Sequence, residues 1–323
     1  MSHSFTFTNL SREPDYRIRQ WLTTTDAIRS AQRVISLPDT CPGKSPLPTG
    51  TAFLTSDANW RRFALSDVGC GMAIVRTKYS SADTQTPAFQ RQWDALCDVL
   101  AERRNRGLGD LGSGNHFLDA AASQRDGSVC LVVHTGSRKE SGLVDDLVDR
   151  PHEFDREFAR VRAWARENRE SVLDIVEKQL GRFLPVLPGV DRVDRDHNHF
   201  ELLGPSVLIR KGVQRVAPSE LAIIPSNLLD DIVLVRATSA VDSILNCLPH
   251  GTGRTMSRSD AKLVPFDFDA LRQRVYIPER IENSSLRTEA PSCYRSLDDC
   301  LECMQGYLEV VERLTPVAYI GQL

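Results

Sequence analysis

Five short apolar runs, at 72–75, 129–133, 207–209, 221–224 and 232–235, have the length and composition of buried strands. Helical spacing of three and four residues appears over 87–104, which opens with Pro87, and over 297–314, where Leu297, Leu301, Met304, Leu308 and Val311 share one stripe. It is clearest over 153–180, where Phe154, Phe158, Val161, Ala165, Val172 and Ile175 recur at the same spacings. Proline and glycine are scattered except over 37–50, which reads as loop. Strands broken by one long helix, with no regular alternation of strand and helix, predict an α+β fold rather than a doubly wound parallel sheet. With no repeat, low-complexity segment or linker in sight, residues 1–323 read as one domain.

Composition narrows the class. The chain has 323 residues, 41% of them apolar, with 19 glycines, which is globular and excludes a disordered or fibrous protein. Forty basic and 43 acidic side chains give a net charge of -3, which argues against a bulk nucleic-acid coat or a polybasic membrane binder and leaves room for a local basic groove. No apolar run approaches the roughly 18 residues of a membrane span, and Met1-Ser2-His3-Ser4-Phe5 lacks the charged start of a leader, so a cytoplasmic protein is expected. Eight cysteines are sparse for this length and predict reduced thiols. Cys300-x-x-Cys303 has no second pair to complete a tetrahedral zinc site and reads as packing; His3 and His152 read as surface residues.

Five segments carry candidate chemistry. In Asp67-Val68-Gly69-Cys70-Gly71 a carboxylate and a thiol sit three residues apart on backbone that can bend sharply. Gly112-Ser113-Gly114-Asn115-His116-Phe117-Leu118-Asp119 places polar residues able to hold a metal or phosphate directly after glycines. Cys130 to Arg138 is an apolar strand that delivers His134 and then a Gly-Ser-Arg turn. In Asp196-His197-Asn198-His199 alternation would put both histidines on one side. His250-Gly251-Thr252-Gly253-Arg254 with Met256-Ser257-Arg258 offers an anion cradle around a nucleophile or general acid, although no Gly-Lys-Ser/Thr makes it a P-loop. Each segment alone is equally well a tight turn, a helix cap or a buried histidine satisfied by a carbonyl.

Their order and wording together resemble the RtcB family of RNA-splicing ligases from about Leu37 onward, a resemblance that Arg210-Lys211-Gly212 and Glu289-Ala290-Pro291 with Tyr294 extend. It implies a domain of mixed and antiparallel sheets around a central metal and nucleotide pocket, with helices outside. It also implies ligation of RNA 3′-phosphate or 2′,3′-cyclic-phosphate ends to 5′-hydroxyl ends, in RNA repair or tRNA splicing, with GTP and two Mn²⁺ ions. Cys70 would bridge the metals, with Asp67 and His116 on one ion and His134 and His197 on the other; ligand softness alone would suggest zinc or iron. His250 would carry the guanylate. Asn115, Asp119, Ser257 and Tyr294 would lie near the nucleotide, and Arg138, Arg210, Lys211 and Arg254 near phosphates. The RNA groove would draw on Arg182, Arg192, Arg195, Arg210, Lys211 and Arg215, although Arg192 and Arg195, interleaved with aspartates, read better as a solvated face. The chain departs from the family at Pro38-Asp39-Thr40-Cys41, at Ser226-Asn227-Leu228-Leu229, at Asp119 in place of glutamate, and in lacking a terminal Lys-Gly. A phosphodiesterase acting on cyclic-phosphate ends without ligation, or a non-catalytic binder of RNA ends, would use the same residues.

Overall fold

The computed structural model describes residues 4–43, 45–64, 67–181, 192–321 and 323, the side chain of Arg138 excepted. Fourteen strands lie within them, and the fold is α+β with mixed and antiparallel sheets. A five-stranded sheet has the order β1 (Thr6–Asn9), β2 (Ala31–Cys41), β3 (Thr49–Thr55), β9 (Ser206–Lys211), β8 (Asn198–Leu203), with only β1 and β2 parallel. A seven-stranded antiparallel sheet runs β11 (Leu221–Ile224), β12 (Ile232–Ala237), β14 (Leu308–Gly321), β5 (Phe117–Ser123), β6 (Ser128–Thr135), β4 (Gly71–Ser80), β7 (Arg192–Asp196). A two-stranded ribbon, β10 (Val213–Arg215) with β13 (Cys247–Pro249), completes the set.

Period-two alternation decides what each face of the larger sheet meets. Ala73 and Val75 of β4, Leu118 and Ala120 of β5, and Leu131 and Val133 of β6 pack against two helices, Pro87–Arg103 and Pro151–Leu180. The helices contribute Phe89, Trp93, Leu96, Val172 and Val176 to this core. The intervening residues Met72, Ile74, Ala121, Cys130 and Val132 face the other way, into a second apolar cluster. That parity matters for function, because Cys70, Asp119 and His134 share it. Thr86 caps the first of these helices, its hydroxyl accepting from Phe89 N, and Gly181 ends the second in the left-handed region.

The expected strands all form, four of them longer than their apolar runs and β11 coextensive with its own, and the helices at 87–104 and 153–180 are present within a residue or two. Two readings are corrected. The helix expected over 297–314 stops after Leu297–Cys303, and the chain turns through Gly306 into β14. The apolar stripe continues across that turn by coincidence of spacing; pairing with β12 and β5 holds the second half extended, with Pro316 at a register shift. The stretch 37–50 is not all loop, since β2 runs on to Cys41 and β3 begins at Thr49. Among the described residues no helix is long and apolar enough to cross a membrane. Cys300 is buried in the core and the described cysteines are free thiols.

Candidate metal and nucleotide site

Cys70 precedes β4, and its parity with Met72 and Ile74 points it to the face opposite the two helices. His134, near the end of β6, pairs in register with Met72 on one side and Phe117 on the other. The loop before β5 adds His116, whose Nε2 lies 3.5 Å from Cys70 Sγ and 3.5 Å from Asp67 Oδ2; His134 Nε2 is 3.2 Å from the same sulfur. Two groups of donors result, each with its atoms within 4.8 Å of one another: Asp67, Cys70 and His116, and Cys70, His134 and His197. Cys70 belongs to both.

His197 arrives by a different route. It is the residue at which the chain leaves β7 of the large sheet and enters β8 of the smaller one, its N–H donating to Cys70 O (2.8 Å) and its carbonyl accepting from Val213 N (2.9 Å). Asn198 pins the crossing, donating to Asp67 O (3.0 Å) and accepting from Gly212 N (2.8 Å). This break in the strand is why His199 does not join His197 as alternation suggested. The ring of His199 is buried beside Asp196 instead, 3.1 Å from its carboxylate.

Close approach of backbone makes the cluster possible. A Cβ on Gly136 would lie 2.4 Å from Asp67 Oδ1 and 3.1 Å from Cys70 Cβ, so no larger residue fits behind the thiol. From the long helix, buried Arg169 donates to Gly69 O (2.9 Å) and pairs with Asp194 (3.0 Å), while Asn168 donates to Asp110 O and Thr135 Oγ1 and accepts from Gly109 N and Asp110 N. These two residues tie down the turns that carry Cys70, His116 and His134. Their signal was in the sequence: Asn168 and Arg169 fall on the apolar stripe between Ala165 and Val172.

The donor set suits a divalent transition ion. A thiolate-capable sulfur, three imidazoles and a carboxylate converge, and His116 and His134 both turn Nε2 toward the Cys70 sulfur. Burial pushes the pKa of His134 and of His197 well below 6.5, with neighbouring histidines acting in the same direction, so both rings are neutral and able to ligate at pH 7. Burial also lowers His199, against the opposing pull of Asp196. In the unfolded chain all three take up protons near pH 6.5, and the folded chain resists them. Stability of metal-free protein is therefore full above that pH and falls below it, by up to about 1.4 kcal/mol per pH unit for each of His134 and His197, with His199 acting in the same direction. Urea unfolding in chelator at about pH 7 and about pH 5.5 measures this; equal midpoints would contradict it.

His250 follows β13 and lies next to the cluster, its ring centroid 4.6 Å from that of His197. Its Nδ1 is 2.5 Å from Oδ2 of Asp39, which is wholly buried in β2. Gly253 makes this fit possible: it has φ of 77°, and a Cβ there would sit 2.6 Å from Asp39 Cα. Asp39 is the site residue that sequence reasoning missed, noted only as part of an altered motif.

A cavity of about 1390 Å³ opens over both clusters. Asp67, Cys70, Asn115, Asp119, His134, His197, Lys211, His250, Arg254, Ser257 and Tyr294 all line it, so the expected site residues are brought together; His116 lies just behind the cavity wall, against Cys70. At one end Asp119 is buried, which raises its pKa well above the usual carboxylate value, and its Oδ1 has no hydrogen-bond partner among the described residues. The Tyr294 hydroxyl donates to Glu289, and Arg254 stacks on the Tyr294 ring at 4.9 Å. Ser257 caps a short helix by accepting from Asp260 N and donating to Asp260 Oδ2.

The expected phosphate and RNA contacts are corrected in part. Arg210 and Lys211 are adjacent on β9 and face opposite ways, so only Lys211 reaches the cavity; Arg210 is buried against Glu201 and Leu245 O. Arg215 also pairs with Glu201, Arg192 with Glu170 and Arg195 with Glu220, so each of these described arginines already has an acidic partner. Arg182 and the side chain of Arg138 lie outside the described residues.

The chain is similar to known RNA-splicing ligases. The chain is 28% identical to an Escherichia coli RNA-splicing ligase RtcB2 over 92% of its length and 90% of the relative's. It is 23% identical to the RNA-splicing ligase RtcB of Escherichia coli K12 and 25% identical to the tRNA-splicing ligase RtcB of Archaeoglobus fulgidus, spanning 60% and 61% of those chains and aligning over 66% and 68% of its own. The family described as tRNA-splicing ligase RtcB matches residues 152–322, more than half of the sequence and the part that supplies His197, Lys211, His250 and Tyr294, and the chain therefore belongs to the RtcB family.

Proposed function

We propose that the protein is an RNA ligase that joins 3′-phosphate or 2′,3′-cyclic-phosphate ends to 5′-hydroxyl ends through a guanylate carried on His250, using GTP and two Mn²⁺ ions. One observation carries the reading: a histidine whose Nδ1 is held by a buried carboxylate stands against two linked groups of side chains able to ligate metal, in the same cavity. With its proton on Nδ1 facing Asp39, the ring presents a lone pair on Nε2. Nε2 would attack the α-phosphate of GTP, forming a P–N bond as the bond to pyrophosphate breaks. The RNA 3′-phosphate would then take the guanylate, regenerating His250, and the 5′-hydroxyl would displace GMP. A cyclic phosphate must first be opened by water. Metal bound by Asp67, Cys70, His116, His134 and His197 would supply charge neutralisation at phosphate and a more acidic water.

The remaining residues have roles set by place. Lys211 and Arg254 would meet phosphates, while Asn115, Asp119, Ser257 and Tyr294 would surround the nucleoside. Asp119 needs a donor for its orphaned oxygen, which the N–H groups of a purine base provide.

The test is covalent transfer. Protein incubated with Mn²⁺ and α-phosphate-labelled GTP or ATP, then denatured, should retain acid-labile label from GTP, and His250→Ala should retain none. Label from ATP instead would reassign the base. No label from either, in protein that holds metal and opens cyclic phosphates, would replace the ligase reading by a phosphodiesterase.

A further inference from the structure

The cavity is larger than a nucleotide needs. Sites for single small ligands run to roughly 1000 Å³, and this one, at about 1390 Å³, continues past His250 to a helix of the N-terminal segment. That helix, Asp15–Thr24, lies ahead of the residues that carry the family resemblance and outside the family match. Glu13, Arg17 and Trp21 line the cavity, the Arg17 side chain more than half exposed, and are spaced four residues apart and so stacked on one side of the helix and its entry. Ile18 and Leu22, wholly buried, hold the helix to the core, and Trp21 packs its inner part on the same cluster while remaining half-buried. Glu13 bridges Arg17 (3.1 Å) and Arg295 (2.9 Å), and Arg295 in turn donates to Thr40 O, next to Asp39. One carboxylate between two guanidiniums leaves an excess positive charge beside an indole seated on a rigid support.

We propose that Trp21 and Arg17 form a platform for the single-stranded RNA end, with a base stacked on the indole and the adjoining phosphate at the guanidinium. This rests on the ligase reading above and adds where the strand leaves the cavity. The chemistry fits that partner: an aromatic face accepts any base, and an arginine at its side meets the backbone. Among the described residues, Arg192, Arg195, Arg210 and Arg215, expected to supply a groove, are also paired with acids, but unlike Arg17 none of them lines the cavity. Arg19, on the same helix, lies over Phe5 and Phe7 instead, at 4.8 and 4.9 Å, and does not line the cavity, so it provides a control of equal charge.

Affinity for a short single-stranded oligoribonucleotide with a 3′-phosphate, measured by fluorescence anisotropy with Mn²⁺ and no GTP, tests the proposal on the full chain. Trp21→Ala should bind about tenfold or more weakly and Trp21→Phe should recover most of the loss, as stacking requires. Arg17→Ala should lower the slope of log affinity against log salt by about 0.7, one phosphate contact on a single strand, and Arg19→Ala should leave it unchanged. RNA should also quench tryptophan emission in wild type and quench it less in Trp21→Phe, a readout that survives if Trp21→Ala fails to fold. Wild-type affinity in both Trp21→Ala and Arg17→Ala, or, where Trp21→Ala fails to fold, undiminished quenching in Trp21→Phe with an unchanged salt slope in Arg17→Ala, would overturn the platform while labelling of His250 by GTP kept the ligase reading. Wild-type protein that neither takes label nor binds the strand would overturn both.

Discussion

Replacing Cys70 by alanine is expected to abolish metal binding at both halves of the cluster and to lower ligation by at least about a thousandfold. The geometry sets this apart from loss of any other ligand. Cys70 is the one residue common to both donor groups, so removing its sulfur takes a ligand from each, whereas His116→Ala or His197→Ala touches only one. The Cys70 side chain is buried, and alanine keeps the Cβ that packs against Gly136, so the fold should survive. Metal content after dialysis gives a readout independent of activity. Cys97→Ala, in the core between sheet and helices, should retain its metal. Full metal content in Cys70→Ala would reject a shared ligand.

Asp39→Asn should slow guanylate transfer to His250 by about 10² to 10⁴ with little change in the GTP concentration needed for half-saturation. The asparagine is the same size, and the cost is electronic. A carboxylate accepts the hydrogen bond from Nδ1–H and stabilises the charge that the ring gains on attack; an amide can turn its NH₂ toward Nδ1 and leave the lone pair on the wrong nitrogen. Because Asp39 is wholly buried, water cannot take its place. Single-turnover labelling separates the rate from binding. An Asp39→Asn protein that transfers guanylate at the wild-type rate would make the contact purely structural.

Five of the fourteen strands, β4, β6, β9, β11 and β12, were legible because each carries a short, apolar run with β-branched residues, and the long helix because its apolar stripe persists along it; the other nine strands were not read. The C-terminal segment was not legible as strand. Leu301, Met304, Leu308 and Val311 keep helical spacing across Gly306, and what makes 308–321 a strand is pairing with residues far away in sequence. At the site, the segments bearing Cys70, His116, His134 and His250 could be picked out one by one, but only their resemblance to a family joined them. The facing of Arg210 away from Lys211 followed from strand alternation and could have been read. The pairing of Asp39 with His250 could not, since 211 residues separate them and nothing local to Pro38-Asp39 announces a partner.

The passage of the chain from one sheet to the other at His197 has a consequence for assembly. The thiol, two imidazoles and Asp67 belong to the larger sheet and its turns, whereas Asp39 belongs to the smaller one and His250 to the ribbon beside it. A half-formed molecule that had built only the larger sheet would own a soft metal trap without a nucleophile. Only when the two sheets close on the His197 seam do trap and nucleophile meet, so the reaction centre reports on completed folding and stays chemically silent before it.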